Sequence, residues 1–161
     1  MDLLTRIEYN ISNLIQTISQ GSYYFNWGPS NELDLAKAQF PCAQIFIENE
    51  NCLDDPDGTS SNMYFQEVIF RIEVYATLDQ EIDNPRFAIN QELNKALVDL
   101  KRLFGNNWSL EYQGVAPADT IMYTGMTREY IEHNDVFVPS KMITNWRVRY
   151  EQDRTNPDII A

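Results

Sequence analysis

The spacing of apolar residues along the chain predicts an amphipathic helix at residues 2–20. Apolar side chains recur there three and four positions apart, which places them on one face of a helix. They are Leu3, Leu4, Ile7, Ile11, Leu14, Ile15 and Ile18. Asp2 is suited to cap the start of this helix, and Gly21 is suited to follow its end.

A second helix is predicted to begin after Asn84, which can cap it. Pro85 suits the first helical position, and Lys101, Arg102 and Gly105 suit the end of the helix. Its buried stripe is predicted to consist of Phe87, Leu93, Ala96, Leu97, Leu100 and Phe104.

Alternation of apolar and polar residues predicts three well-defined strands, at 43–48, 64–77 and 142–151. The last of them carries Met142, Thr144, Trp146, Val148 and Tyr150 on one face. We expect Trp146 to lie in the core, because a large aromatic on the apolar face of a closing strand must be covered.

The remaining stretches are less regular. Residues 22–27 and 108–113 have the composition of short strands, and 49–62 is polar and turn-rich, which is typical of an exposed loop or hairpin tip. Residues 114–141 form a long excursion with strand-like pieces at 120–123, 127–131 and 136–138. Long excursions of this kind are usually functional or ordered by a partner.

This order of elements predicts an α+β fold with a mostly antiparallel sheet and two helices packed on one of its faces. We expect residues 1–151 to form a single domain. Residues 152–161 show no periodicity and are predicted to be an extended C-terminal tail.

The net charge narrows the possible partners. The 161 residues include 12 Lys and Arg against 24 Asp and Glu, a formal charge of −12. This balance argues against binding nucleic acid by neutralising phosphates, which needs clustered cations. We find no apolar run long enough to predict a membrane span, and no N-terminal signal-peptide pattern. Two cysteines favour synthesis in a reducing cytoplasm.

The motifs that could carry chemistry are weak. Aligning Gly58 with the invariant glycine of a calcium-binding loop puts Leu53 and Tyr64 at positions that need acidic ligands, so the neighbouring acids fit a solvated turn better. His133 is the only histidine and has no second imidazole or cysteine pair beside it. No phosphate-binding glycine loop or nucleophile elbow is present. We therefore predict no catalytic, metal or cofactor site and a protein that is not an enzyme.

The candidate contact residues are charged. They are Asp54, Asp55, Asp57, Arg128, Arg147, Arg149 and Arg154. Arginines on the outward face of the terminal strand can pair with the acids of a neighbouring protein, or with Glu67 or Glu73 inside the chain. Both alternatives are open. The aromatic run Tyr23, Tyr24, Phe25 and Trp27 is likewise divided between core packing and an interface.

The order of parts resembles the tail-terminator, or tail-completion, proteins of long-tailed bacteriophages and related minor tail and neck proteins. An amphipathic N-terminal helix leads into a short strand and then into a strand entered through Pro41. The long strand at 65–76 runs into the helix at 84–104, as that family places it. The closing strand around Val148–Tyr150 runs into a polar tail with Thr155-Asn-Pro157.

The resemblance implies a structural protein of the virion tail or neck, assembled in the cytoplasm of the host bacterium. Such proteins form a ring, usually of six copies, on the head-proximal end of the tail tube. The ring ends polymerisation and presents a surface to the neck or head-completion protein. The implied partners are other copies of the chain, the tail tube protein and the neck protein, while DNA passes through the ring without specific binding. The alternatives are a neck or head–tail connector subunit and, from a different class, a small ligand-binding or enzymatic α+β domain.

Deletion of residues 154–161 is expected to leave the monomer folded and to impair assembly, because this tail has no pattern with which to bury itself. The free energy of unfolding, measured by urea denaturation, should change by less than about 1 kcal/mol, as is usual for surface changes. Unfolding of the truncated chain would instead assign the tail to the domain.

Overall fold

The computed structural model describes residues 1–53, 63–78, 85–129 and 140–156, and the fold consists of two helices and four strands within those ranges. The elements are α1 (Leu3–Gln16), β1 (Cys42–Leu53), β2 (Met63–Ala76), α2 (Pro85–Asn106), β3 (Thr120–Glu129) and β4 (Ser140–Asp153).

The four strands form one antiparallel sheet in the order β1-β2-β4-β3. Alternate residues of β2 and β4 share a buried core with the apolar faces of α1 and α2, so both helices lie on the same face of the sheet. The predicted α+β class is confirmed. The face of the sheet that carries the other alternate residues is here called the open face.

Helix α1 begins as the sequence predicts and ends earlier. The Oδ1 atom of Asp2 accepts a hydrogen bond from the backbone N–H of Thr5 at 2.9 Å, which satisfies one free donor of the first turn. At the other end, the amides of Thr17 and Ile18 donate to carbonyls three residues back, so the helical pattern stops near Gln16 rather than at residue 20.

Helix α2 buries the predicted stripe with one exception. Leu93, Ala96, Leu97, Leu100 and Phe104 are buried, and so is Leu103, which the prediction omitted. Phe87 is 60% exposed, so its assignment to the stripe is wrong. Six residues of an α-helix turn through about 600°, which sets Phe87 roughly 120° away from Leu93. The predicted cap, Asn84, lies outside the described residues.

Two predicted short strands are wrong. Residues 22–27 form no strand of the sheet, apart from an isolated bridge between Gln20 and Tyr23. Residues 108–113 form turns in which Leu110 and Gln113 have φ values of 55° and 53°.

These turns are held from inside the molecule by Asn10 of α1. Its side chain is buried, and its Nδ2 atom donates to the carbonyls of Leu110 at 2.8 Å and Val115 at 3.0 Å. A single amide therefore fixes the segment that leads from α2 to β3.

Strands β1 and β4 are longer than predicted, whereas β2 has the predicted length and is displaced by one residue. β1 continues to Leu53, past residues that had been assigned to a loop. β3 joins two predicted pieces into one strand, with an irregularity in its register between Tyr123 and Gly125. β4 continues to Asp153, beyond the predicted end at 151, because its last two residues pair with Tyr64 and Met63. The predicted piece at 136–138 lies outside the described residues.

Trp146 lies in the core, as predicted, with 2% of its surface exposed. Its ring meets those of Phe104 and Tyr123 edge-on, with centroids 4.8 and 5.3 Å apart. The indole Nε1 donates to the hydroxyl of Thr144 at 2.8 Å, and that hydroxyl donates to the carbonyl of Ile72 at 2.8 Å. The polar atom of this large core residue is thus satisfied within the sheet.

Asp99 of α2 is fully buried and holds the segment 22–27 against the helix. Its Oδ1 atom accepts from the amide of Tyr24 at 2.8 Å, and its Oδ2 atom accepts from the amide of Phe25 at 3.1 Å and from Nε1 of Trp27 at 3.2 Å. Trp27 is buried and Phe25 packs against the core, whereas Tyr24 is exposed. The aromatic run is therefore mostly core, anchored by a carboxylate.

Substituting Asp99→Ala should lower the free energy of unfolding by about 3 kcal/mol or more, because three donors lose a charged acceptor in a buried site. Urea denaturation followed by tryptophan fluorescence would measure the loss. Glu111→Ala, which removes an exposed acid, is the matched control and should change stability little. Equal stability of both variants would contradict this role of Asp99.

Candidate interaction surface

The open face carries most of the charged side chains of the two central strands. On β2 they are Glu67, Arg71 and Glu73, and on β4 they are Lys141, Arg147, Arg149, Glu151 and Asp153. In the described part of the chain, neither helix packs on this face. The ion pairs of the open face form two clusters.

In the first cluster, Arg147 and Arg149 converge on one carboxylate. The Nε atom of Arg149 donates to Oε2 of Glu67 at 2.9 Å, and that of Arg147 lies 3.6 Å from the same oxygen. Intramolecular pairing with Glu67 is therefore present, and Glu73 is not the partner. Two guanidinium groups share this one acid, and Glu151 and Asp153 follow Arg149 on the same face of β4.

In the second cluster, ion pairs link all four strands. Arg71 of β2 contacts Glu48 of β1 and also Glu73, while Lys141 of β4 contacts Glu73 at 3.6 Å and Glu129 of β3 at 3.0 Å. Glu73 is 7% exposed, which is tolerated because two cations neutralise it. This chain of charges ties the sheet together from edge to edge.

The hydroxyl of Tyr75 lies 2.8 Å from Oε2 of Glu73, beside this second cluster. Burial, followed by the hydrogen bond to the carboxylate and its charge, raises the pKa of Tyr75 well above its usual range. The phenol therefore stays protonated and donates to Glu73.

The other predicted contact residues do not join Arg147 and Arg149. Arg128, near the end of β3, donates through Nη2 to Asn94 of α2 on the helix side of the sheet. Arg154 follows β4, where its Nε atom donates to the carbonyl of Met63 at 3.2 Å and its guanidinium lies 4.9 Å from the ring centroid of Tyr64. Asp54, Asp55 and Asp57, like His133, lie outside the described residues.

Sequence reasoning marked the excursion at 114–141, which contains β3, as usually functional or ordered by a partner, but it did not identify β1 and β3 as the edge strands of the sheet. The start of the β1 edge is closed by Asn31, whose amide donates to the carbonyl of Ala43 and whose Oδ1 accepts from the amide of Ile45, both at 2.7 Å. The start of the β3 edge is closed by the carbonyl of Trp108, which accepts from the amide of Ile121 at 2.9 Å.

Beyond these closures, no other element of the described chain pairs with residues 46–53 of β1 or 122–129 of β3. These two stretches are here called the free edges. Apolar residues lie on both free edges and are exposed there: Ile47, Met122 and Met126. Their presence in the sequence is the signal that could have indicated these edges.

The described residues contain a cavity that could be considered as a ligand-binding site. This cavity of about 340 Å³ is lined by Phe25, Ala38, Phe40, Pro41, Ala76, Thr77 and Glu92. Five of these seven residues have apolar side chains, and the carboxylate of Glu92 is paired with Lys95 at 2.9 Å. Within the described ranges, no group of three or more His, Cys, Asp and Glu side chains could hold a metal ion, and no helix is long and apolar enough to cross a membrane.

The fold and its surface thus define an α+β domain with a charged open face and two partly closed edges. Comparison with protein-family models and with curated proteins found no match to this chain.

The two cysteines differ in environment. Cys42 is buried, and desolvation together with the nearby charge of Glu32 raises its pKa to about 11, whereas Cys52 is exposed on the free edge of β1. A raised thiol pKa lowers the fraction of reactive thiolate at pH 8.

We expect a thiol-titrating reagent at pH 8 to modify one cysteine per folded chain and both in denaturant. Cys52→Ser should leave almost no reactive thiol in the folded protein. Fast modification of that variant under native conditions would show that Cys42 is accessible.

Proposed function

We propose that this protein is a structural virion protein that caps the head-proximal end of a phage tail tube as an oligomeric ring. The observation that carries the proposal is the pair of free edges beside a charged open face, because these are surfaces for protein contact rather than for catalysis. An unpaired strand edge is a template for pairing with another chain, so an edge left open suits a surface used in assembly.

The order of elements adds support. An N-terminal amphipathic helix, a strand entered through Pro41, a long strand followed by a helix, and a closing strand with a polar tail all have their counterparts in the fold. The short strand at 22–27, which was one part of the resemblance, has no counterpart in the sheet. The remaining order resembles that of the tail-terminator proteins and supports the proposal.

The charge of the chain suits a ring around DNA. At −12 for each protomer, six copies would carry about −70, since a ring repeats the charge of its subunit. On the open face, Arg71 and Lys141 are already occupied by acids, and Arg147 and Arg149 share Glu67. Phosphates would therefore find few unpaired cations there, and DNA could pass without adhering.

A neck or head–tail connector subunit is the closest alternative within the virion. It would use the same ring geometry and the same charge argument, and would differ in the neighbour that it contacts.

The proposal is tested by the length of tail tubes polymerised in its presence. Added at the start of polymerisation, the protein should shorten the tubes in proportion to its concentration, because a capped end cannot grow. Electron microscopy measures the lengths, and light scattering after size-exclusion chromatography measures the oligomer. Addition after polymerisation is the control and should leave the lengths unchanged. A protein that stays monomeric with tube protein present and leaves the lengths unchanged would contradict the cap.

A further inference from the structure

The direction of the two edge strands sets how copies of this chain can meet. Neighbouring strands are antiparallel throughout the order β1-β2-β4-β3, so β1 and β3 run in opposite directions. A second copy placed beside the first, with its helices on the same side, brings its β1 next to the first copy's β3 in an antiparallel pair. The sheet then continues from one copy into the next.

We propose that the ring is built by this pairing, with the free edge of β3 in one protomer joined to the free edge of β1 in the next. The inference rests on the proposed ring and names the surface that forms it. It commits to a second copy of this chain as the occupant of both edges.

The two closures force the copies to be staggered. Through the registers of β2 and β4, Ala43 lies level with Arg128, and Glu50 lies level with Ile121. A flush arrangement would therefore set one part of each free edge, near residue 50 of β1 and residues 126–128 of β3, against a stretch already closed by Trp108 or Asn31. The free edges meet over most of their length, and clear of both closures, only if the neighbour moves along the strands by roughly four to six residues, or ~13–20 Å at about 3.3 Å per residue.

This stagger has the size that a closed sheet requires. Four strands spaced about 4.8 Å apart are roughly 19 Å wide, so a shift of ~13–20 Å per copy tilts the strands by about 35–45°. Sheets that close on themselves have strand tilts in this range. With six copies, the backbone cylinder would be ~45 Å across, with the helices outside and the open face lining a passage wide enough for double-stranded DNA.

The charges on the two edges favour pairing of β1 with β3 over a two-fold contact in which two β1 edges pair. The free edge of β1 contains Glu48 and Glu50 and no cation, whereas the free edge of β3 contains Arg128 and a Glu129 that is already paired with Lys141. Pairing two β1 edges would place the acids of both copies close together, which is unfavourable. Pairing β1 with β3 sets Glu50 near Arg128 instead. The intramolecular partners of these two side chains, Tyr150 and Asn94, lie on the helix side and leave the strand edges uncovered. A contact between different surfaces can close into a ring.

Cysteine cross-linking tests this contact. In a stagger of six residues Cys52 faces Met126, and in a stagger of four it comes close to Thr124, so Met126→Cys and Thr124→Cys cover the range. Opposite residues of an antiparallel pair are about 4.5–5.5 Å apart, within reach of a disulfide. Oxidation of the assembled protein should give a disulfide-linked ladder up to the full ring on non-reducing gels for at least one variant.

Two controls separate this result from chance contact. Val98→Cys places a thiol on α2 at a site as exposed as Met126, 41% against 39%, and should give no ladder. Adding Cys52→Ser to the productive variant should abolish its ladder.

The outcomes distinguish the two proposals. A ring detected by light scattering without a cross-link from Cys52 to either position overturns the edge contact and leaves the ring proposal standing. Efficient formation of Cys52–Cys52 dimers by the wild-type protein also overturns it, in favour of a two-fold contact. A chain that remains monomeric at every concentration, with tube protein present, contradicts both proposals.

Discussion

The pairing of β2 with β4 is the constraint on which the rest of this structure depends. The two strands are paired along their whole lengths, from Met63 opposite Asp153 to Ala76 opposite Ser140. Because side chains alternate across a sheet, this one register decides which residues are buried and which are open. It places Trp146 and Phe70 under the helices and Arg147 and Glu67 on the other face. A slip of one residue would exchange the two sets.

Buried polar side chains fix segments that apolar packing alone does not position. Asp99, Asn10 and Thr144 are all buried, and each holds a backbone segment or a core side chain through hydrogen bonds. Asp99 gathers three donors from the segment after α1, and Asn10 gathers two carbonyls from the turns after α2. The irregular segments of the fold are therefore fixed by side chains of the helices rather than by strand pairing. Removing one partner of such a hydrogen bond leaves a buried polar atom unsatisfied, which costs much more free energy than replacing both partners with apolar groups. These hydrogen bonds therefore favour one particular arrangement of the irregular segments.

Periodicity predicted most of the regular structure because burial on one side leaves a clear pattern. The alternation in β4 placed Trp146 in the core and the two arginines on the outside, and the spacing in α1 and α2 marked nearly all of their buried residues. Phe87 was misassigned because it is apolar but out of phase with the stripe. The strand-like composition of 22–27 was misleading because the backbone of this segment is hydrogen-bonded to Asp99 of α2, which is 75 positions from Tyr24, and not to a strand. No local pattern reports a partner so distant in sequence.

The candidate surface was only partly predictable for a related reason. The outward position of Arg147 and Arg149 follows from alternation, and Glu67 was one of two acids within reach of an adjacent strand. Which strands lie at the edges depends on the order β1-β2-β4-β3, which the sequence does not encode locally. The closures by Asn31 and Trp108 depend in turn on where loops pass those edges. Which strand edges are exposed can therefore be determined only from the three-dimensional structure.

The two closures also affect how readily copies of this chain would aggregate at the concentrations reached during synthesis. A fully open pair of edges would let copies stack flush and without limit, as strands do in fibrous aggregates. Asn31 and Trp108 each block one end of one edge, and the blocked ends lie at opposite ends of the sheet. Flat stacking is thereby obstructed at every copy, while an oblique approach stays possible. Two short loop segments thus protect the sheet against flush edge-to-edge association.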